Sequence, residues 1–155
     1  MKRLRVLTGL LLLTLSHTGI TADDVGANAE VEVIAQTQMM WNGQALPPFT
    51  QGTPEITILR YTIAPGVRLP MHVHDYVNAG VVLEGTLTVY SADGETRQLK
   101  ANDALIELVN VPHYGVNEGD TEAVILVFYA GEAGQPLSRP CPEPSPCKAV
   151  VQGCN

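Results

Sequence analysis

From Glu30 to Gly131, apolar and polar residues alternate in short runs, and no stretch shows the three-to-four-residue period of an amphipathic helix. Glu30-Val31-Glu32-Val33-Ile34 sets acids against apolar side chains. Glu55–Ile63 is rich in Ile, Thr and Tyr; Leu59, Tyr61 and Ile63 form its more apolar parity, and it stops at the turn signal Ala64-Pro65-Gly66. Further β-rich runs cover Ala79–Leu83, Thr86–Tyr90, Thr96–Lys100, Ala104–Val109 and Glu122–Tyr129. Glu84-Gly85, Ala92-Asp93-Gly94 and Asn117-Glu118-Gly119-Asp120 punctuate them. Strands at this spacing predict an all-β sandwich or closed barrel with little or no helix, over residues 29–131. Val82, Leu87 and Phe128 are expected in its wall, and Glu30–Trp41 as an outer strand near a homodimer contact.

The two ends read differently. Lys2, Arg3 and Arg5 precede an apolar run from Val6 to Leu15, and Ile20-Thr21-Ala22 offers a small residue for cleavage. Residues 1–22 therefore read as a signal peptide, too short to span a bilayer and with no Cys for a lipid anchor. The protein is expected to be exported, periplasmic or secreted, without a stable membrane anchor. Residues 132–155 form a Pro- and Cys-rich tail holding Cys141, Cys147 and Cys154. Their spacing fits no common zinc pattern, so one disulfide with one thiol left over is the simpler expectation. The formal net charge is -7, and losing three basic residues with the signal peptide makes the remainder more acidic still. With no basic stripe to neutralise phosphates, nucleic acid is excluded as a partner.

Removing His17 with the signal peptide leaves His72, His74 and His113. On a strand, His72 and His74 point the same way with Cα atoms about 6.6 Å apart, so their imidazoles can converge on one ion. Asn78 shares that parity, Asp75 does not, and Asp75 is expected in solvent. Tyr61 and Glu107 are candidates for a pocket wall. A His-x-His pair by itself is more often a surface accident or a satisfied polar pair.

The surrounding residues change that. Gly66, His72, His74, Asn78 and Gly85 fall at the intervals of the motif G-x5-H-x-H-x3,4-E-x6-G, with Asn in place of the acid. A second frame, G-x5-P-x-G-x2-H-x3-N, falls on Asn102, Leu108, Asn110, His113 and Asn117, where the last two match outright. On these residues the sequence resembles the cupin superfamily, and within it small exported single-domain bacterial cupins with a conserved barrel of the second type. The resemblance implies a jelly-roll barrel and a divalent metal held by His72, His74 and His113, with Asn78 at the position of a fourth ligand.

A neutral Asn leaves the ion its full charge. That disfavours hard ions such as Mn²⁺ and favours nitrogen-accepting Fe²⁺, Ni²⁺, Cu²⁺ or Zn²⁺. It also leaves coordination positions open, as in three-histidine dioxygenases of the superfamily. Two readings stand: a metal-dependent, dioxygenase-like enzyme acting on a small molecule, or a non-catalytic module binding a small ligand or a metal. Beside the metal, Glu107, Tyr61 and Tyr114 are the candidates for proton transfer.

Overall fold

The computed structural model describes residues 30–141. The chain divides into a unit over 1–32 and a unit over 33–155. The signal-peptide reading, Cys147 and Cys154 lie outside the described residues.

Nine strands are present among the described residues, and no helix. They are β1 (Pro54–Ile63), β2 (His72–Val73), β3 (Asn78–Glu84), β4 (Thr86–Ser91), β5 (Thr96–Lys100), β6 (Ala104–Ile106), β7 (His113–Val116), β8 (Ala123–Glu132) and β9 (Arg139–Pro140). One antiparallel sheet runs β1-β8-β3-β6, the other β5-β4-β7-β2-β9. The all-β jelly-roll expectation holds. Six of the runs read from the sequence become β1, β3, β4, β5, β6 and β8, within three residues at each end.

The core is what alternation requires. Ile63, Val82, Leu87, Val89, Leu99, Leu105, Ile125, Val127 and Tyr129 project inward from both sheets and pack as one cluster. In β1, Leu59, Tyr61 and Ile63 face inward as their parity demands, while Ile56 and Ile58 face out. Phe128 also faces out, 43% exposed, so it is not a wall residue. It stands opposite Ile58 across the β1–β8 ladder, on the outer face.

The Glu30–Ile34 run is not a strand, and Glu30–Trp41 forms no outer strand. Val31, Val33 and Ile34 are all exposed, so the alternation separates no buried face from a wet one. Only Met39 in this stretch makes a bridge, to Ala45. Met40 then packs with Leu108 and Val109 in a second small cluster.

The two motif frames survive through backbone conformation. Gly66 and Gly85 have positive φ, 74° and 71°. Asn102 and Asn110, standing where the second frame has Gly, also have positive φ, 72° and 62°. Asn is the non-glycine residue that best tolerates this region, so the turns are kept although the letters differ. Asn117 is fully buried. Its Nδ2 donates to the Ile63 and Thr121 carbonyls and its Oδ1 accepts from Gly119 N, tying β7 to the end of β1.

The ordered body also extends beyond residue 131. β8 continues to Glu132, and β9, from the stretch read as tail, pairs with β2. Asp75 is the anchor rather than a solvated acid: both its oxygens accept from Arg139, at 2.6 Å each. Cys141 is disulfide-bonded and its N–H donates to Met71 O.

Gly85 and Asn102 should separate these roles. A Cβ at Gly85 would meet the Glu122 carbonyl as well as strain φ, so Gly85→Ala is expected to cost about 3 kcal/mol or more. Asn102→Gly keeps an allowed conformation and should stay within about 1 kcal/mol. Urea midpoints of the two variants check this.

Candidate functional site

The site begins with two neighbouring strands. His72 in β2 is the direct antiparallel partner of His113 in β7, so their side chains leave the sheet on one face. His74 lies two residues on, held by a bridge to Val109 and by Asn110 N donating to its carbonyl. The positive φ at Asn110 makes that return possible. The three ring centroids stand 4.6 to 5.1 Å apart. His74 and His113 are buried, at 3% and 2% exposure, and His72 is partly buried.

Each ring is fixed by a backbone carbonyl. His72 Nδ1 donates to Pro70 O, His74 Nδ1 to Leu137 O and His113 Nδ1 to Val111 O, all at 2.8 Å. A carbonyl can only accept, so the proton is on Nδ1, and Nε2 of each neutral ring carries its lone pair inward. His72 Nε2 and His74 Nε2 are 3.2 Å apart. The ligand atoms of the three residues lie within 4.8 Å of one another, close enough to share one ion. A carbonyl on Nδ1 is also what usually orients a metal-bound imidazole.

These nitrogens point into a cavity of about 330 Å³ between the sheets. Its wall is largely aliphatic, with Leu87, Val89, Ile125 and Val127 among its members. Both pocket candidates, Tyr61 and Glu107, line it. Tyr61 Oη and Tyr129 Oη are hydrogen-bonded at 3.0 Å, and the Tyr129 ring packs 5.6 Å from that of His74. Glu107 Oε2 lies 3.3 Å from His113 Nε2. Asn78 is inward and 1% exposed but is not part of this wall. Its Nδ2 turns back to Tyr76 O, and its carbonyl accepts from Glu107 N. The Asn78 Oδ1 is buried without a hydrogen-bond partner, while on the neighbouring strand's continuation Glu107 lines the cavity. Tyr114 lies outside the wall, stacked on Tyr90 beneath the Arg68 guanidinium.

Burial and charge split the imidazoles. Burial lowers His72, and lowers His74 further, to about 4. Burial also disfavours the His113 cation, but the Glu107 carboxylate outweighs it and holds His113 above its ordinary value. Burial opposes the Glu107 anion, and His113 ahead of the other two imidazoles reverses this, leaving its pKa below the usual range. Burial, with the Tyr61 hydroxyl, pushes Tyr129 up, so it stays a hydrogen-bond donor.

Sequence reasoning missed Tyr129 and the contribution of residues 137–140. Tyr129 was legible in principle, since it shares the inward parity of Ile125 and Val127 in β8. Leu137 acts through its backbone, which side-chain chemistry does not reveal, and Ser138 and Pro140 join the cavity wall from the same segment.

The family model described as Cupin domain matches residues 59–129. A rice (Oryza sativa subsp. japonica) protein, germin-like protein 8-14, is 34% identical over 82 residues, covering 49% of this chain and 38% of its own length. The chain thus spans under half of that relative. An uncharacterized conserved protein with a double-stranded beta-helix domain from Klebsiella pneumoniae superposes with a TM-score of 0.51 at 17% identity, covering 75% of this chain and 100% of that one. The polyketide cyclase RemF from Streptomyces resistomycificus gives 0.49 at 21% identity, over 58% of this chain and 62% of its own.

In chelator-treated protein, His74 is expected to protonate near pH 4, His72 below 6.5 and His113 above it. Imidazole resonances followed through a pH titration read this order directly. The sign for stability follows. A lowered His pKa means the unfolded chain binds the proton first, so His74 costs up to about 1.4 kcal/mol per pH unit as pH falls from 6.5 towards 4. The His113 contribution runs oppositely: it is full below 6.5 and is lost as pH rises through its folded pKa.

Proposed function

Since the chain belongs to the cupin superfamily, we propose that it is a metal-dependent enzyme acting on a small, largely apolar molecule at His72, His74 and His113. One observation carries the reading: three imidazoles with Nδ1 committed to carbonyls, and hence three Nε2 lone pairs converging in a buried cavity. Three nitrogen donors suit a borderline divalent ion, Fe²⁺, Ni²⁺, Cu²⁺ or Zn²⁺. Such an ion would supply Lewis-acid polarisation of a substrate oxygen, or redox chemistry with dioxygen in the case of iron. A dioxygenase-like activity is the class this donor set favours.

The protein's own groups do the rest. The largely aliphatic wall lowers the polarity around the imidazole cluster, which strengthens charge interactions there. Of the paired hydroxyls of Tyr61 and Tyr129, one donates to the other, leaving the acceptor's proton for a substrate oxygen. Tyr129 keeps its proton, and Glu107 is held as the anion. The cavity volume of about 330 Å³ suits a small molecule. The oxidised Cys141, with the basic and apolar start of the chain, supports an exported, oxidising setting.

A second reading, a carrier that only holds a small ligand, is favoured by the scarcity of proton-transfer groups. Beyond the imidazoles and tyrosines, Glu107 is the one acid or base among the described residues of the cavity wall.

Elemental analysis of protein purified without chelator should find close to one transition ion per chain. Each of His72→Ala, His74→Ala and His113→Ala should weaken it by more than about 100-fold, exceeding what loss of a mere orienting group does. Unchanged metal in His113→Ala would place the site elsewhere. Dioxygen uptake with iron-loaded protein over a panel of small apolar substrates separates enzyme from carrier.

A further inference from the structure

We propose that Glu107 is a fourth, anionic donor of the metal centre, so that the ion is held by three imidazoles and one carboxylate. The inference rests on the three-histidine reading and adds to it a residue that lies beyond the end of β6. Glu107 N donates to Asn78 O, which extends the β3–β6 pairing by one residue and aims the side chain inward. The side chain is 13% exposed and lines the cavity.

Three observations point to a cation. First, Glu107 Oε2 and His113 Nε2 are 3.3 Å apart, yet neither has a hydrogen-bond partner. They lie side by side rather than as donor and acceptor. Second, that spacing nearly equals the 3.2 Å between His72 Nε2 and His74 Nε2. Two atoms each bonded at about 2.0 to 2.2 Å to one ion sit at such a separation. Third, among the described residues of the cavity wall none is Lys or Arg, so no permanent cation of the protein faces the carboxylate. A buried carboxylate with an unpaired oxygen is costly unless a charge meets it.

The consequence is a different ion preference from that of three neutral donors. A carboxylate cancels one of the two charges and adds a hard oxygen ligand, bringing Mn²⁺ and Fe²⁺ within range of the site.

The test compares Mn²⁺ and Zn²⁺ affinities by chelator competition in wild type, Glu107→Gln and His74→Ala. Glu107→Gln keeps shape and loses charge. Its Mn²⁺ affinity should fall at least about 100-fold, and its Zn²⁺ affinity less. Unchanged affinities would overturn the proposal, as would metal retained with only turnover lost, which would make Glu107 a proton-transfer group. In the unmodified protein, saturating Zn²⁺ should shift the Glu107 ¹³Cδ resonance together with the imidazole Nε2 signals. Shifts confined to the imidazoles would also overturn it, whether or not the Gln variant folds. Should His74→Ala keep both metals, the three-histidine reading itself fails, a separate outcome.

Discussion

Three carbonyl oxygens, those of Pro70, Val111 and Leu137, take the Nδ1 protons of the three histidines, and the site follows from that commitment. An imidazole free to exchange tautomers inside an aliphatic barrel would turn a donor or an acceptor towards hydrocarbon and pay for it in desolvation. With Nδ1 satisfied locally, burial costs less and the second nitrogen has one direction left. Two of the acceptors stand two residues before their histidine, Pro70 for His72 and Val111 for His113. Each strand entering the site therefore carries its own lock. His74 is the exception, and its lock is 63 residues away in sequence.

The same enclosure has opposite effects on neighbouring rings. Desolvation dominates at His72 and His74, whereas at His113 a carboxylate at 3.3 Å outweighs it. The outcome depends on what each ring meets: His72 meets His113 on the adjacent strand, and His113 meets Glu107 from the opposite sheet. Asn78 and Glu107 illustrate the geometry. They pair across β3 and β6, and the side chain carrying charge is the one that reaches the cavity.

Much of this could be read from the residues, for identifiable reasons. Period-two alternation located β1, β3, β4, β5, β6 and β8 because a closed barrel gives each strand one dry face. It failed at Glu30–Ile34, where both faces are wet, and at Phe128, whose apolarity says nothing of the side it occupies. His72, His74 and His113 were legible because a metal-binding chemistry needs those side chains, whatever the fold details. The glycine positions of the second motif seemed lost, yet Asn102 and Asn110 preserve the conformation that glycine would provide. Asp75 was misread because its partner, Arg139, lies in a segment with no periodic pattern. Backbone acceptors such as Leu137 O are invisible to any reasoning from side-chain type.

That distant acceptor has a consequence for how the protein is made. A growing chain presents His72, His74 and, forty residues later, His113 well before residue 137 exists. Until the segment after β8 is laid against β2, His72 and His113 can be oriented by their own neighbours, but His74 cannot. Two imidazoles then have their acceptors and the third does not. The third acceptor comes with the closing contacts of β9, the Asp75–Arg139 fork and the oxidised Cys141. The cluster of three oriented imidazoles is thereby completed only once the segment after β8 is in place.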